Sequence, residues 1–280
     1  MLRATRIGLA SAALLAIALG AQAQAAERVD LLLVLAADVS RSMDDPKFRL
    51  QRSGYIEALT NSRVLDAIQS GTHRRIGVTF LEWSGVVSQK VVIDWTAISD
   101  EATARRFADG LVEAPRSFAD RTSISAGIDF AMAQLSRAPY ESSRQTIDVS
   151  GDGTNNSGRD VTLARDEAVT KGVTINGLVI LSDSPTPWNP EHTNPPGGLA
   201  NYYRNYVVGG PGAFVMVAEN FKSFGNALIN KLIAEIARGA PAAPRDAALA
   251  VDRAHWPHAQ GCVRLAFRCD IPLRDQSASR

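Results

Sequence analysis

Leu31-Leu32-Leu33-Val34-Leu35-Ala36-Ala37, followed directly by Asp38-Val39-Ser40-Arg41-Ser42, is the stretch from which the rest of the chain is read. An unbroken apolar run lacks the alternation of a half-exposed strand, so it reads as a strand buried on both faces of a parallel sheet. The carboxylate and two hydroxyls behind it then stand at the strand's carboxyl end, where open α/β sheets bind ligands. These are hard oxygen donors. Mg²⁺ keeps an octahedral oxygen shell and several waters, so hydroxyls binding directly and carboxylates binding through water suit it. Asp and Ser also close turns and cap helices after a strand, so this stretch by itself leaves both readings open.

Two later segments supply further oxygens. Arg121-Thr122-Ser123-Ile124-Ser125-Ala126-Gly127 opens an amphipathic helix, and Ile147-Asp148-Val149-Ser150-Gly151-Asp152-Gly153 ends a second apolar strand in an acid. With D-x-S-x-S, a threonine and an aspartate in this order, the chain resembles the von Willebrand factor A domain and its metal-ion-dependent adhesion site. The resemblance runs from about Val29 to Arg238, and Asp148 to Gly153 looks like a secreted bacterial branch, domain of unknown function 1194. It implies Ser40, Ser42 and Thr122 as hydroxyl ligands of Mg²⁺, or of Mn²⁺ or Ca²⁺. Asp38 and Asp152 would act through metal-bound waters, leaving one coordination position for a partner's carboxylate. The chain departs from many A domains at Ala119-Asp120-Arg121, which puts a cation beside the proposed ion in place of glycines.

The order of elements supports the same architecture. Expected are a strand over 30–38, a helix from Asp44-Asp45-Pro46 to Leu59, and strands over 75–83 and 86–95 joined by a tight Ser84-Gly85 turn. Helices over 100–111, 123–137 and 159–171 alternate with strands over 144–150 and 173–181, before a last strand over 213–218 and a helix over 220–238. The fold class is therefore α/β: a doubly wound, mostly parallel central sheet with one antiparallel edge strand, Rossmann-like in its layering.

Parallel strands bring Asp38 and Asp152 to one edge of the sheet, where two carboxylates without a cation repel and one pKa rises. Asp148 lies inside an apolar strand and shares a face with Ser150 and Asp152. It orients that loop, with Ser150, or hydrogen-bonds to a neighbouring helix. Between Leu181 and Gly212 a proline-rich loop carries Trp188 and His192, then Tyr202, Tyr203 and Tyr206. Long irregular loops are often functional, and aromatics are enriched at binding hot spots. Trp188, His192, Tyr202 and Tyr203 are thus candidates for a ligand-selectivity loop, the alternative being a short helix packed on the domain.

Residues 1–25, with Arg3 and Arg6, an apolar core and an Ala-rich end, read as a signal peptide too short to span a bilayer. Export to the periplasm or beyond is expected, with no membrane span after cleavage. Net charge is +1 and the basic residues are scattered, which disfavours a nucleic-acid partner. Residues 28–238 form the domain, and 239–280 an Ala/Pro-rich linker and weakly ordered tail. Cys262 and Cys269 in that tail fit one local disulfide in an exported chain, with zinc held by His255, His258 and both cysteines as the alternative.

Three functions compete. The first is a non-enzymatic adhesion module that recognises an unidentified protein through a metal-bridged carboxylate. The second is a metal-assisted hydrolase, for which His192 is the only well-placed histidine base. The third is a metal-free envelope scaffold in which Arg121 replaces the ion's charge.

Overall fold

The computed structural model describes residues 26–181 and 189–238. The signal-peptide segment, the tail with both cysteines, and Trp188 lie outside the described residues. A six-stranded sheet runs in the order β4-β3-β2-β6-β7-β8, formed by β2 (Leu32–Asp38), β3 (Ile76–Trp83), β4 (Gln89–Ile98), β6 (Gln145–Gly151), β7 (Thr174–Ile180) and β8 (Val215–Ala218). Every neighbouring pair is parallel except β3 with β4, which places the antiparallel strand at one edge. Two-residue strands β1 (Glu27–Arg28) and β5 (Tyr140–Glu141) form a separate small ribbon.

The apolar run is the centre of the sheet, and both its faces are covered. Leu33, Leu35 and Ala37 pack on one side with α1 (Asp45–Thr60), α2 (Ser62–Gln69), α3 (Glu101–Glu113) and α8 (Phe224–Ala237). Leu32, Val34 and Ala36 pack on the other with α4 (Ile124–Leu135), α5 (Val161–Thr170) and Tyr203. Alternate side chains of one strand thus feed two cores, and each fully buried Leu or Val contributes about 1.5–3 kcal/mol to holding the layers together.

Helix starts follow the cap chemistry of the sequence. Asp44 accepts the Lys47 N–H at 2.8 Å with Pro46 in the first turn, Asp100 forms a capping box with Thr103, and Ser123 caps α4. Three expectations change. The turn between β3 and β4 spans residues 84–88, closed by Ser84 N–H to Ser88 O at 2.9 Å. Val86 and Val87 are therefore exposed turn residues, not the first residues of the strand. Helix α2, with Val64 and Ile68 buried, is an element the sequence reading passed over. The 182–212 segment is also less irregular than expected, since α6 (Pro190–Thr193), α7 (Leu199–Tyr202) and a π-helical turn over Tyr203–Val207 occupy its described part.

Candidate functional site

Three loops meet at the carboxyl edge of β2 and β6. The first leaves β2 at Asp38, whose Oδ1 accepts the Ser40 N–H at 2.7 Å, a local turn that swings both serines over the strand end. Arg116 fixes its backbone from outside, donating to Val39 O at 2.8 Å and Ser40 O at 3.0 Å. The second loop carries Thr122 into α4. Its backbone is exchanged with the third: Thr122 N–H donates to Asn156 Oδ1 at 3.0 Å and Asn156 N–H to Thr122 O at 2.9 Å. The third leaves β6 at Gly151 and places Asp152 opposite the first.

The side chains converge. Ser42 Oγ donates to Asp152 Oδ1 at 2.5 Å, and Ser40 Oγ lies 3.1 Å from Ser42 Oγ. Asp38, Ser40 and Asp152 are fully buried, and Thr122 nearly so. Ser42 and Thr122 line a single cavity of about 300 Å³ with His192, Asn156, Asn189, Asp120, Arg41 and Arg121. All five candidate ligands thus sit at one rim.

Its electrostatics are those of two buried acids with Lys47 beside Asp152 as a partial counter-charge. Burial and then the charge of Asp152 push the Asp38 carboxyl up to about 7, against the pull of the Ser40 hydrogen bonds. Asp38 Oδ2 is buried without a hydrogen-bond partner among the described residues. Such an orphaned anionic oxygen is costly. Two carboxylates and three hydroxyls suit a hard divalent cation, which would satisfy those oxygens and remove the repulsion. Among the described residues no three His, Cys, Asp or Glu side chains are grouped so as to hold a metal ion.

Several neighbours were not legible beforehand. Lys47 Nζ stands 3.5 Å from Asp152 Oδ2 and donates to Ser42 O at 2.9 Å. A lysine in a helix's first turn opposes the helix dipole, and that mismatch was the available signal. Asn155 and Asn156, which brace the Thr122 loop, were signalled only by their place behind Asp152-Gly153. Arg121 is exposed, its backbone N–H bonded to Asp120 Oδ1 at 2.7 Å; the cation paired with Asp152 is Lys47.

The proposed recognition loop divides. His192 is buried beside the site, with Nε2 3.2 Å from Thr122 Oγ1 and Nδ1 3.2 Å from Thr154 Oγ1. Burial holds its pKa below the usual value, opposed by Asp152. Gly153 makes the fit possible, because a Cβ there would stand 2.3 Å from the imidazole. Tyr202 is half-buried and its hydroxyl accepts the Asn155 N–H at 3.1 Å. Tyr203 is fully buried, out of a partner's reach, and its hydroxyl, without a hydrogen-bond partner among the described residues, faces the field of Asp38 and Asp152. Asp148 and Ser150 lie deeper in β6. Ser150 Oγ is 2.8 Å from Tyr55 Oη, and Asp148 is paired with Lys231 rather than aimed at the loop.

Solved structures share this fold. Proximal thread matrix protein 1 from the mussel byssus, with zinc in its metal-ion-dependent adhesion motif, aligns over 75% of this chain and 49% of its own, at 16% identity and a TM-score of 0.50. The pilus adhesin SpaC from Lactobacillus rhamnosus GG, in its open conformation, aligns over 76% and 30%, at 15% identity and a TM-score of 0.51. A von Willebrand factor type A protein from Catenulispora acidiphila aligns over 75% and 43%, at 16% identity and a TM-score of 0.48. The chain thus spans half or less of the length of each. No curated protein matches it. The likeness is one of fold alone, and by its match over residues 28–240 the chain belongs to the family described as protein of unknown function, DUF1194.

Proposed function

We propose that this chain is an exported binding module that recognises a protein ligand through a divalent cation held by Ser40, Ser42, Thr122, Asp38 and Asp152. The observation that carries the reading is the buried, unpartnered Asp38 Oδ2 at a rim where Asp152 already raises its pKa. Mg²⁺, Mn²⁺ or Ca²⁺ bound there would supply a Lewis-acid position for a partner's carboxylate. The chain's own part is to present the Ser42 and Thr122 hydroxyls in a cavity, with Ser40 buried behind Ser42. Arg41 and Arg121 line that cavity and favour an acidic ligand. The zinc-occupied motif of the mussel protein and the adhesin role of SpaC are in keeping with this use of the fold. The leader-like residues 1–25 support export, and among the described residues no helix is long and apolar enough to cross a membrane.

The immobilised full chain should retain envelope proteins in Mg²⁺, release them in EDTA, and lose them on Thr122→Ala. Retention indifferent to both EDTA and Thr122→Ala would remove this reading. A second reading, metal-assisted hydrolysis with His192 as base, draws support from the 3.2 Å approach of His192 to Thr122. It requires EDTA-sensitive turnover of phosphate or ester substrates that His192→Ala abolishes, and turnover untouched by that substitution would reject His192.

A further inference from the structure

On the face of β6 turned toward α8, well below the carboxyl edge, three ionisable side chains are sealed together. Lys231 and Asp148 are fully buried and Glu235 is 2% exposed. Lys231 Nζ lies 2.7 Å from Asp148 Oδ1 and 2.5 Å from Glu235 Oε1. Lys231 and Glu235 are four residues apart on one helix, so both point at the same strand. Asn176, paired in register with Asp148 on β7, donates to Glu235 Oε1 at 2.8 Å and holds that carboxyl in place. The ring of Phe214 is 5.5 Å from the amine.

As an ion-pair cluster this is poorly made. One ammonium and two carboxylates leave an uncompensated negative charge in the core, where charge is expensive. The Lys231 ammonium is shared between Asp148 and Glu235, and apart from that contact neither Asp148 oxygen has a hydrogen-bond donor among the described residues. Glu235 Oε2 is likewise unpartnered. The arrangement instead has the three parts of an amide-forming site: an amine, a carboxyl beside it, and a second carboxyl on the same nitrogen to carry protons.

We propose that Lys231 and Asp148 condense to an intramolecular amide, with Glu235 as the proton carrier. The step starts from an uncharged amine, a protonated Asp148 carboxyl and a proton on Glu235; burial pushes Asp148 up to about 7, with Lys231 opposing and Glu235 adding to the rise. Lys231 Nζ attacks Asp148 Cγ and the N–C bond forms. One nitrogen proton passes to Glu235 as the proton of Glu235 passes to the departing oxygen, and the C–O bond breaks. The products are an amide N–H, a molecule of water and a Glu235 carboxyl restored to its starting state, with no change of oxidation state. With Nζ 2.7 Å from Oδ1, the amine is already in contact with the Asp148 carboxyl, close to the about 3–3.5 Å separation of a near-attack geometry. Effective molarities of about 10⁵–10⁸ M in such geometry outweigh the opposing concentration of water. The product leaves neither Lys231 nor Asp148 ionisable and ties β6, which leads to Asp152, to α8. This proposal does not rest on the metal site.

Peptide mapping by mass spectrometry of the purified full chain tests it. Trypsin cannot cut after an acylated Lys231, so wild-type protein should give a branched peptide joining residues 145–159 to 223–238, one water lighter than its parts. Lys231→Met should give none, and Glu235→Gln should form it at least tenfold less. Recovery from wild type of the free peptide ending at Lys231, with no branched product, would overturn the amide. Equal branching in Glu235→Gln would overturn the role of Glu235.

Discussion

Asp38 and Lys47 carry opposite sides of the site's electrostatics. Asp38 is a buried acid raised toward neutrality, so Asp38→Asn, which keeps an oxygen to accept the Ser40 N–H, removes a repulsion from the metal-free protein. That variant should melt higher than wild type in EDTA, by differential scanning calorimetry, while losing Mg²⁺ binding. Lys47 sets a like charge beside any cation bound at Asp152. Lys47→Gln should therefore tighten Mg²⁺ or Mn²⁺ binding by about tenfold in isothermal titration, since about 1.4 kcal/mol is well within what a partly exposed neighbouring charge supplies. The five candidate ligands were singled out by the motif order of the resemblance, and the structure brings their side chains to one rim. His192 was read beside the proposed ion only as a candidate base, and Lys47 was not read there at all. Their approach depends on how α1 and the 189–198 segment fold over the rim, which no local spacing encodes.

Helix packing positions the first loop, since α1 follows it directly. Gly54 is where α1 crosses α8: a Cβ there would stand 2.4 Å from the buried Phe224 ring and 3.1 Å from the Gly225 backbone nitrogen. Gly54→Ala should cost about 1–3 kcal/mol by overpacking, measured by urea denaturation, although alanine is the better helix former. Arg52, one helical turn from Phe48, donates to Glu82 Oε1 at 2.5 Å and to Leu111 O at 2.6 Å, while Glu82 accepts the Ser117 N–H at 2.9 Å. This buried cluster ties α1, β3 and α3 to the segment leading to Thr122. Arg52→Met leaves Glu82 buried and unpaired and should destabilise the protein by about 3–5 kcal/mol. Strands and helix starts were legible, because burial on two faces erases alternation and Asp or Ser caps mark entries. The 84–88 turn was not: Val86 and Val87 have strand propensity, yet the turn closes through backbone bonds before the strand begins.

Across the molecule, the sheet's direction is what makes a site of separate loops. Parallel β2 and β6 deliver Asp38 and Asp152 together, and the two cores hold that edge rigid. Sequence reading recovered this topology from the alternation of apolar runs and amphipathic helices. It allowed for Asp148 bonding to a neighbouring helix but did not name Lys231, because a contact between a strand and a helix near the far end of the domain leaves no local signature. The whole-protein consequence is a linkage to pH. Asp38 titrates at about 7 when folded and near 3.8 when unfolded, so the native state holds a proton the unfolded chain has lost. Stability in EDTA should fall as pH rises through that window, and Mg²⁺ should restore more of it at pH 7.5 than at pH 5. Melting temperatures that gain equally from Mg²⁺ at both values would contradict this coupling. The most direct measurement is calorimetric titration of the EDTA-stripped full chain with Mg²⁺ and Mn²⁺, on wild type and Asp38→Ala. One saturable site in wild type and none in Asp38→Ala is the predicted result; equal heats from the two proteins, or no binding by wild type, would contradict it.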